Sequence, residues 1–127
     1  MFWRHSSRAG NNQAIGRRGE IIARRYLEQR GLKFLAANWS CRFGEVDLIM
    51  ADQDSRVFVE VRSRSQTQYG TGLETVAAEK QRKLLRTARH YQQQVGYWRD
   101  IRFDVVSITW VKGAAPEIEY IEHAFTE

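Results

Sequence analysis

An α/β fold, with one mixed β-sheet flanked by helices in the order α-β-β-β-α-β-β, is what this sequence predicts. Three observations carry that expectation. Two segments repeat their apolar residues at helical spacing, several short runs are rich in Val, Ile and Phe, and turn chemistry separates those runs. At 127 residues, 43% hydrophobic and 28% charged, the chain suits a single globular core.

Residues 1–12 hold Ser6, Ser7, Gly10, Asn11 and Asn12 among scattered charges without periodicity, and read as a mobile basic N-terminal arm to a single domain over 13–127. From Gln13 to Arg30, Ile15, Ile22, Ala23, Tyr26 and Leu27 form one helical stripe, with Gly31 where a helix-terminating residue belongs. Three strand-like runs follow: Leu32–Trp39, which is the least regular, then Glu45–Ala51 and Val57–Arg64, joined by the turn residues Asp52-Gln53-Asp54-Ser55. Residues 65–75 are polar and glycine-containing, as a loop would be. A second stripe, Leu84, Leu85, Ala88, Tyr91 and Val95, marks a helix over 77–95, and strands are expected over Ile101–Trp110 and Ile118–Ile121.

The same sequence excludes several function classes. No apolar run approaches the ~18–20 residues that span a bilayer, and the start Met1-Phe2-Trp3-Arg4-His5 is not a secretory signal. A single cysteine, Cys41, makes neither an internal disulfide nor a CxxC zinc site. A cytoplasmic address and no membrane partner are expected. A homodimer is compatible with the sequence, which contains nothing that indicates one.

Charge is distributed in blocks. Residues 1–43 carry +7, 44–79 carry −4, 80–102 carry +6 and 103–127 carry −4, and sixteen of the twenty basic residues are arginine. Guanidinium forks onto phosphate better than ammonium does, so two basic blocks around an acidic one resemble phosphate-binding surfaces flanking a cation site. Solvated helix faces are the alternative.

The turn between the second and third strands permits a sharper step. Setting Asp52 opposite Ser55 also sets Val46 opposite Val61, Leu48 opposite Val59 and Met50 opposite Val57, which makes one face wholly apolar. On the other face Ile49 opposes Phe58, Asp47 opposes Glu60 and Glu45 opposes Arg62, the last two forming an expected structural pair. Carboxylates directly opposed across a hairpin lie roughly 5 Å apart and repel by on the order of 3 kcal/mol at an effective dielectric near 20. A hard divalent ion such as Mg²⁺ suits that arrangement; neutralisation by Arg62 or Arg64 is the alternative.

Asp47 followed after twelve residues by Glu60-Val61-Arg62 resembles the PD-(D/E)xK nuclease signature. More closely, Arg18-Gly19-Glu20, the run Cys41-Arg42-Phe43-Gly44-Glu45-Val46-Asp47-Leu48-Ile49, Phe58-Val59-Glu60-Val61-Arg62-Ser63-Arg64, Lys80-Gln81-Arg82-Lys83-Leu84 and Arg102-Phe103-Asp104-Val105-Val106 together resemble the bacterial UPF0102 (YraN-like) family. The resemblance runs from about residue 13 to the C-terminus, and the ordered set is specific where each piece alone is weak. It implies a restriction-endonuclease-like fold related to Holliday-junction resolvases, with Glu20, Asp47 and Glu60 as ligands of Mg²⁺ or Mn²⁺. Arg62 stands where the superfamily pattern has lysine, and a guanidinium cannot act as a base at neutral pH.

The function expected is a metal-dependent nuclease acting on DNA, branched and single-stranded forms included, with Asp47, Glu60 and Arg62 as catalytic residues. The contrasting expectation is a non-catalytic nucleic-acid-binding protein on the same fold. Arg17, Arg24, Arg82, Arg86 and Arg89 are the candidate phosphate contacts, joined by Lys80 and Gln81 from the start of the second helix. Lys80 is also the candidate replacement for the absent lysine, against the simpler role of a solvated side chain. Glu20 has an alternative as a helical salt-bridge partner of Arg24, and Gly19 is placed to let the first helix approach the sheet. Asp104 and Cys41 read as structural. The four tryptophans are mostly packing residues with a secondary capacity to stack on unpaired bases.

Overall fold

A computed structural model of the chain describes residues 7–65 and 76–126, with side chains described from residue 16 onward. The elements are α1 (Ser7–Gln29), β1 (Lys33–Cys41), β2 (Gly44–Asp52), β3 (Ser55–Ser65), α2 (Ala78–Val95), β4 (Ile101–Trp110) and β5 (Glu117–Phe125), in the expected order α-β-β-β-α-β-β. The five strands lie side by side in chain order. β3 and β4 run parallel and all other neighbours antiparallel, so the sheet is mixed. A parallel pair needs a long crossover, and α2 lies on that connection.

Both faces of the sheet are covered. On one, Ala23 and Leu27 of α1 pack with Leu48, Met50, Val57, Val59, Val106 and Ile108. On the other, Leu84, Ala88 and Tyr91 of α2 pack with Ile49, Phe58, Phe103 and Val105. Gly19 is what brings α1 close: a Cβ there would stand 2.6 Å from Ser63 Oγ and 3.6 Å from Ile108 Cδ1. The helix then ends as the sequence predicts. Gly31 has φ +96°, its N–H bonds to the Glu28 carbonyl, and the Leu32 N–H reaches back to Leu27. Those are the two reverse bonds of a Schellman cap, for which glycine is the least strained residue.

Two boundaries differ from expectation by several residues, and one expected loop falls outside the described residues. The arm read over 1–12 is helical in backbone from Ser7, while residues 1–6 lie outside the described ones. Extending an existing helix costs far less than nucleating one, so these turns form without an apolar stripe to announce them. The loop expected over 65–75 lies, beyond Ser65 of β3, outside the described residues. β5 extends to Phe125 rather than stopping at Ile121, across an irregularity at His123, where φ is +57°.

That irregularity has a partner in β4. Asp104 is 1% exposed, yet Arg102 grips it with two parallel bonds of 3.0 and 2.9 Å, Tyr120 donates its hydroxyl, and the His123 N–H bonds to Oδ1 at 2.9 Å. Arg102 also reaches Asp52 at 2.8 Å, at the β2–β3 turn. Burial and the bond to Asp104 push the Tyr120 phenol above its usual range. Asp104 is therefore a structural clasp between β4 and β5, as expected of it.

Candidate active site

The site forms where β1 and β2 stop alternating. Ile49 and Val46 are three residues apart, yet both pack on the α2 side, and so do their β1 partners Ala36 and Trp39. Two paired strands have reversed face together. Between those pairs sit Asp47 and Asn38, and Asn38 has φ +52°, the left-handed conformation that Asn tolerates better than most residues. The β1–β2 pairing resumes unchanged at Trp39↔Val46 and Ser40↔Glu45.

β3 makes no such reversal. Val57, Val59 and Val61 pack toward α1 and Phe58 toward α2, which puts Glu60 on the α2 side. The β2–β3 pairing follows the expected register from Asp52↔Ser55 through Leu48↔Val59. One position further on, Asp47 Oδ2 accepts the Val61 N–H at 2.8 Å. The side chain has taken a backbone donor at the point where the ladder opens.

Asp47 is the electrostatic centre. Burial, then the charge of Glu60, push its pKa up to about 8, with Glu20 adding to the rise and the Val61 N–H and Lys80 opposing it. The flanking carboxylates are held apart by partners of their own. Asn38 Nδ2 donates to Glu20 Oε1 at 2.9 Å, on the α1 side. Lys80, from the first turn of α2, donates to Glu60 Oε2. Glu60 is nearly buried and the Lys80 side chain is half exposed, so Lys80 reaches in from solvent.

The sequence-predicted residues thus separate into groups. Glu60 and Glu20 each act electrostatically on Asp47, but among the described residues no three Asp, Glu, His or Cys side chains converge closely enough to hold a metal ion. The expected ligand set is not preformed, because Val61, Lys80 and Asn38 each hold one carboxylate. Val46 does not face Val61, and no ion pair joins Glu45 to Arg62 among the described residues; the reversal at Asp47 turns residues 45 and 46 to the opposite faces. Arg62 lies two residues beyond Glu60 and opposite Ser107 of β4. Arg24 pairs with Glu28 at 3.3 Å rather than with Glu20.

Arg17 and Arg24 line a cleft of about 210 Å³ with Glu20 and Asn38, beside the site on the α1 side. Arg82, Arg86 and Arg89 are exposed along α2, opposite its buried residues Leu84, Ala88 and Tyr91. Gln81 turns its amide onto the Val76 carbonyl at 2.7 Å, anchoring the chain before a helix that has no side-chain cap. Asn38 was missed by sequence reasoning. The available signal was an asparagine in an otherwise apolar and aromatic strand run, a residue type that favours turns and left-handed backbone.

The model of a family described as "Uncharacterised protein family UPF0102" matches residues 19–108. A UPF0102 protein of Stutzerimonas stutzeri (strain A1501) is 46% identical over 116 residues, covering 90% of this chain and 96% of the relative. One from Nocardia farcinica (strain IFM 10152) is 40% identical over 120 residues, 94% of each chain. One from Rhodococcus opacus (strain B4) is 42% identical over 116 residues, 91% of this chain and 98% of the other.

Proposed function

The chain belongs to the uncharacterised protein family UPF0102, and from the geometry of its site we propose that it is a metal-dependent nuclease of the PD-(D/E)xK type, acting in the cytoplasm on DNA, branched and single-stranded forms included. One observation carries this reading: Asp47 and Glu60 meet electrostatically where two strands part, with a lysine ammonium already held against Glu60. The donor chemistry fits a hard divalent ion, since Asp47, Glu60 and Glu20 offer only carboxylate oxygens. Asp47 and Glu60 would hold Mg²⁺ or Mn²⁺, with Glu20, now bonded to Asn38, as the third carboxylate that would complete the set. When bound, such an ion supplies Lewis-acid charge to a phosphoryl oxygen and acidifies water.

The chain's own residues supply the rest. Arg17 and Arg24 on one side and Arg82, Arg86 and Arg89 on the other hold backbone phosphates and set the position of the scissile bond. Lys80 carries positive charge at Glu60. Arg62 offers fixed charge to the departing oxygen but does not accept a proton.

A second reading, binding without cleavage, is favoured by the absence of a preformed ligand set among the described residues. A cleavage screen of branched, single-stranded and duplex substrates with Mg²⁺ and with Mn²⁺ separates the two. Metal-dependent cutting by the parent that disappears in Asp47→Asn supports the nuclease. Binding with no cutting on any substrate selects the binding protein.

A further inference from the structure

The β1–β2 hairpin places Arg42 and Phe43 at its tip, directly against α2. The Phe43 ring stands edge-on to His90 at 5.8 Å between centroids, and Trp39 lies 6.0 Å from the same imidazole. The Arg42 guanidinium sits 4.8 Å over the Phe43 ring. Tyr91 supports Trp39 from behind, edge to face at 5.4 Å. Two open clefts share His90 as a wall. One, of about 490 Å³, is lined by Trp39, Ser40, Arg42 and Gln94; the other, of about 260 Å³, by Phe43, Arg86, Arg89 and Gln93.

We propose that this aromatic and arginine surface binds an unpaired nucleic-acid strand, with bases stacked on Phe43, His90 and Trp39 and phosphates on Arg42, Arg86 and Arg89. A surface that met only phosphates would need cations alone. Here partly exposed rings are interleaved with guanidinium groups, the combination that single strands use, whereas a duplex keeps its base faces stacked internally. The acidic centre is near. Trp39 follows Asn38 in β1 and pairs with Val46, the neighbour of Asp47. His90 lies ten residues along α2 from Lys80, about 15 Å at the helical rise. The surface therefore leads a strand toward Glu60, and this delivery role rests on the nuclease reading.

The test measures anisotropy of labelled oligo-dT, oligo-U and a duplex of equal length with the full chain in chelator, where cleavage is suppressed. Single strands are expected to bind about tenfold or more tighter than duplex. Phe43→Ala is expected to weaken single-strand binding by about tenfold, the scale of one lost stacking contact, while Phe43→Trp retains it. Arg42→Ala should reduce the log–log salt slope by about 0.7, one phosphate contact on a single strand. Tighter binding of oligo-U or of oligo-dT identifies RNA or DNA as the source, and either supports the proposal. Equal affinity for duplex, or Phe43→Ala and His90→Ala variants that bind as the parent does, overturns it. Single-strand binding through Phe43 without cleavage of any substrate overturns the nuclease reading alone. Cleavage left unchanged by Phe43→Ala, with parental single-strand affinity, overturns this inference alone.

Discussion

Lys80 of α2 donates its ammonium to the nearly buried carboxylate of Glu60 on β3. The nuclease signature that Asp47 and Glu60 resemble has a lysine two residues after its second acid, where this chain has Arg62. An ammonium therefore reaches Glu60 from a different element of the fold. It arrives because the residues after β3 lead into α2, whose apolar stripe docks the helix on the sheet with its first turn beside Glu60.

If that ammonium acts on the substrate, Lys80→Ala should lower kcat/KM for cleavage on the order of 10²-fold, the loss typical of one electrostatic stabiliser. Lys80→Arg keeps a positive charge against Glu60 and should retain part of the rate. Parental cleavage by Lys80→Ala assigns the residue to holding Glu60 and nothing more.

The chelated protein should lose stability as pH rises. An unfolded Asp gives up its proton near pH 4, whereas native Asp47 keeps its own up to about 8. Between those values the native state binds more protons than the unfolded state, so stability falls with increasing pH. Thermal melts at pH 5 and pH 8 in chelator should show the parent losing on the order of 2 kcal/mol more than Asp47→Asn. Asn keeps an oxygen for the Val61 N–H but carries no charge. Equal slopes for the two proteins would remove the repulsive carboxylate centre from the account.

The Asp104 clasp should dominate stability without touching the site. Asp104→Ala leaves Arg102, which is 13% exposed in its side chain, without its main partner. Breaking one side of a buried ion pair costs about 3–5 kcal/mol. Tyr120→Phe removes one hydroxyl from the same network and should cost about 1–2 kcal/mol. Urea unfolding measures both. A loss below 1 kcal/mol for Asp104→Ala contradicts the clasp.

What the sequence made legible follows from local chemistry. The β2–β3 register could be read from turn residues and alternating valines, and Gly31 could be read as a helix terminator; both depend on neighbours in the chain. The reversal at Asn38 and Asp47 could not. Each face of this sheet is covered by a helix, so Val46 and Leu48 are apolar whichever way they point, and a change of side leaves no trace in the pattern. The predicted Glu45–Arg62 pair failed for that reason. The contacts of Glu20 with Asn38 and of Glu60 with Lys80 depend on how α1 and α2 dock, which periodicity does not specify. Asp47 and Glu60 stood out in the sequence because like charges opposed across a hairpin are costly; in the structure Glu60 acts electrostatically on Asp47 although the β2–β3 ladder opens before that pair.

Binding should be steeply salt-dependent if the arginines of both helices meet phosphates. On duplex DNA the log–log slope is about −0.9 per contact neutralised. Arg17→Ala and Arg86→Ala, on different helices flanking the acidic centre, should each reduce the slope by about one and combine additively. A slope unchanged in either variant removes that face from the binding surface. Affinity independent of salt removes both.

Arg62 provides the remaining test of whether the site is catalytic. It follows Glu60 along β3 by two residues, and its guanidinium stays charged at every accessible pH. It can stabilise charge developing on phosphate but cannot take a proton from water. Arg62→Lys is therefore expected to keep or raise metal-dependent cleavage, while Arg62→Ala loses on the order of 10²-fold. The comparison gains force in a Lys80→Ala background. If the two cations share one role, Arg62→Lys restores part of the lost rate there, because it puts an ammonium at the position where the signature has one. If their roles are separate, the two losses multiply and the lysine restores nothing. Single-turnover cleavage with Mg²⁺ and with Mn²⁺ distinguishes these outcomes. Inactivity of both the parent and Arg62→Lys on every substrate decides for the binding protein.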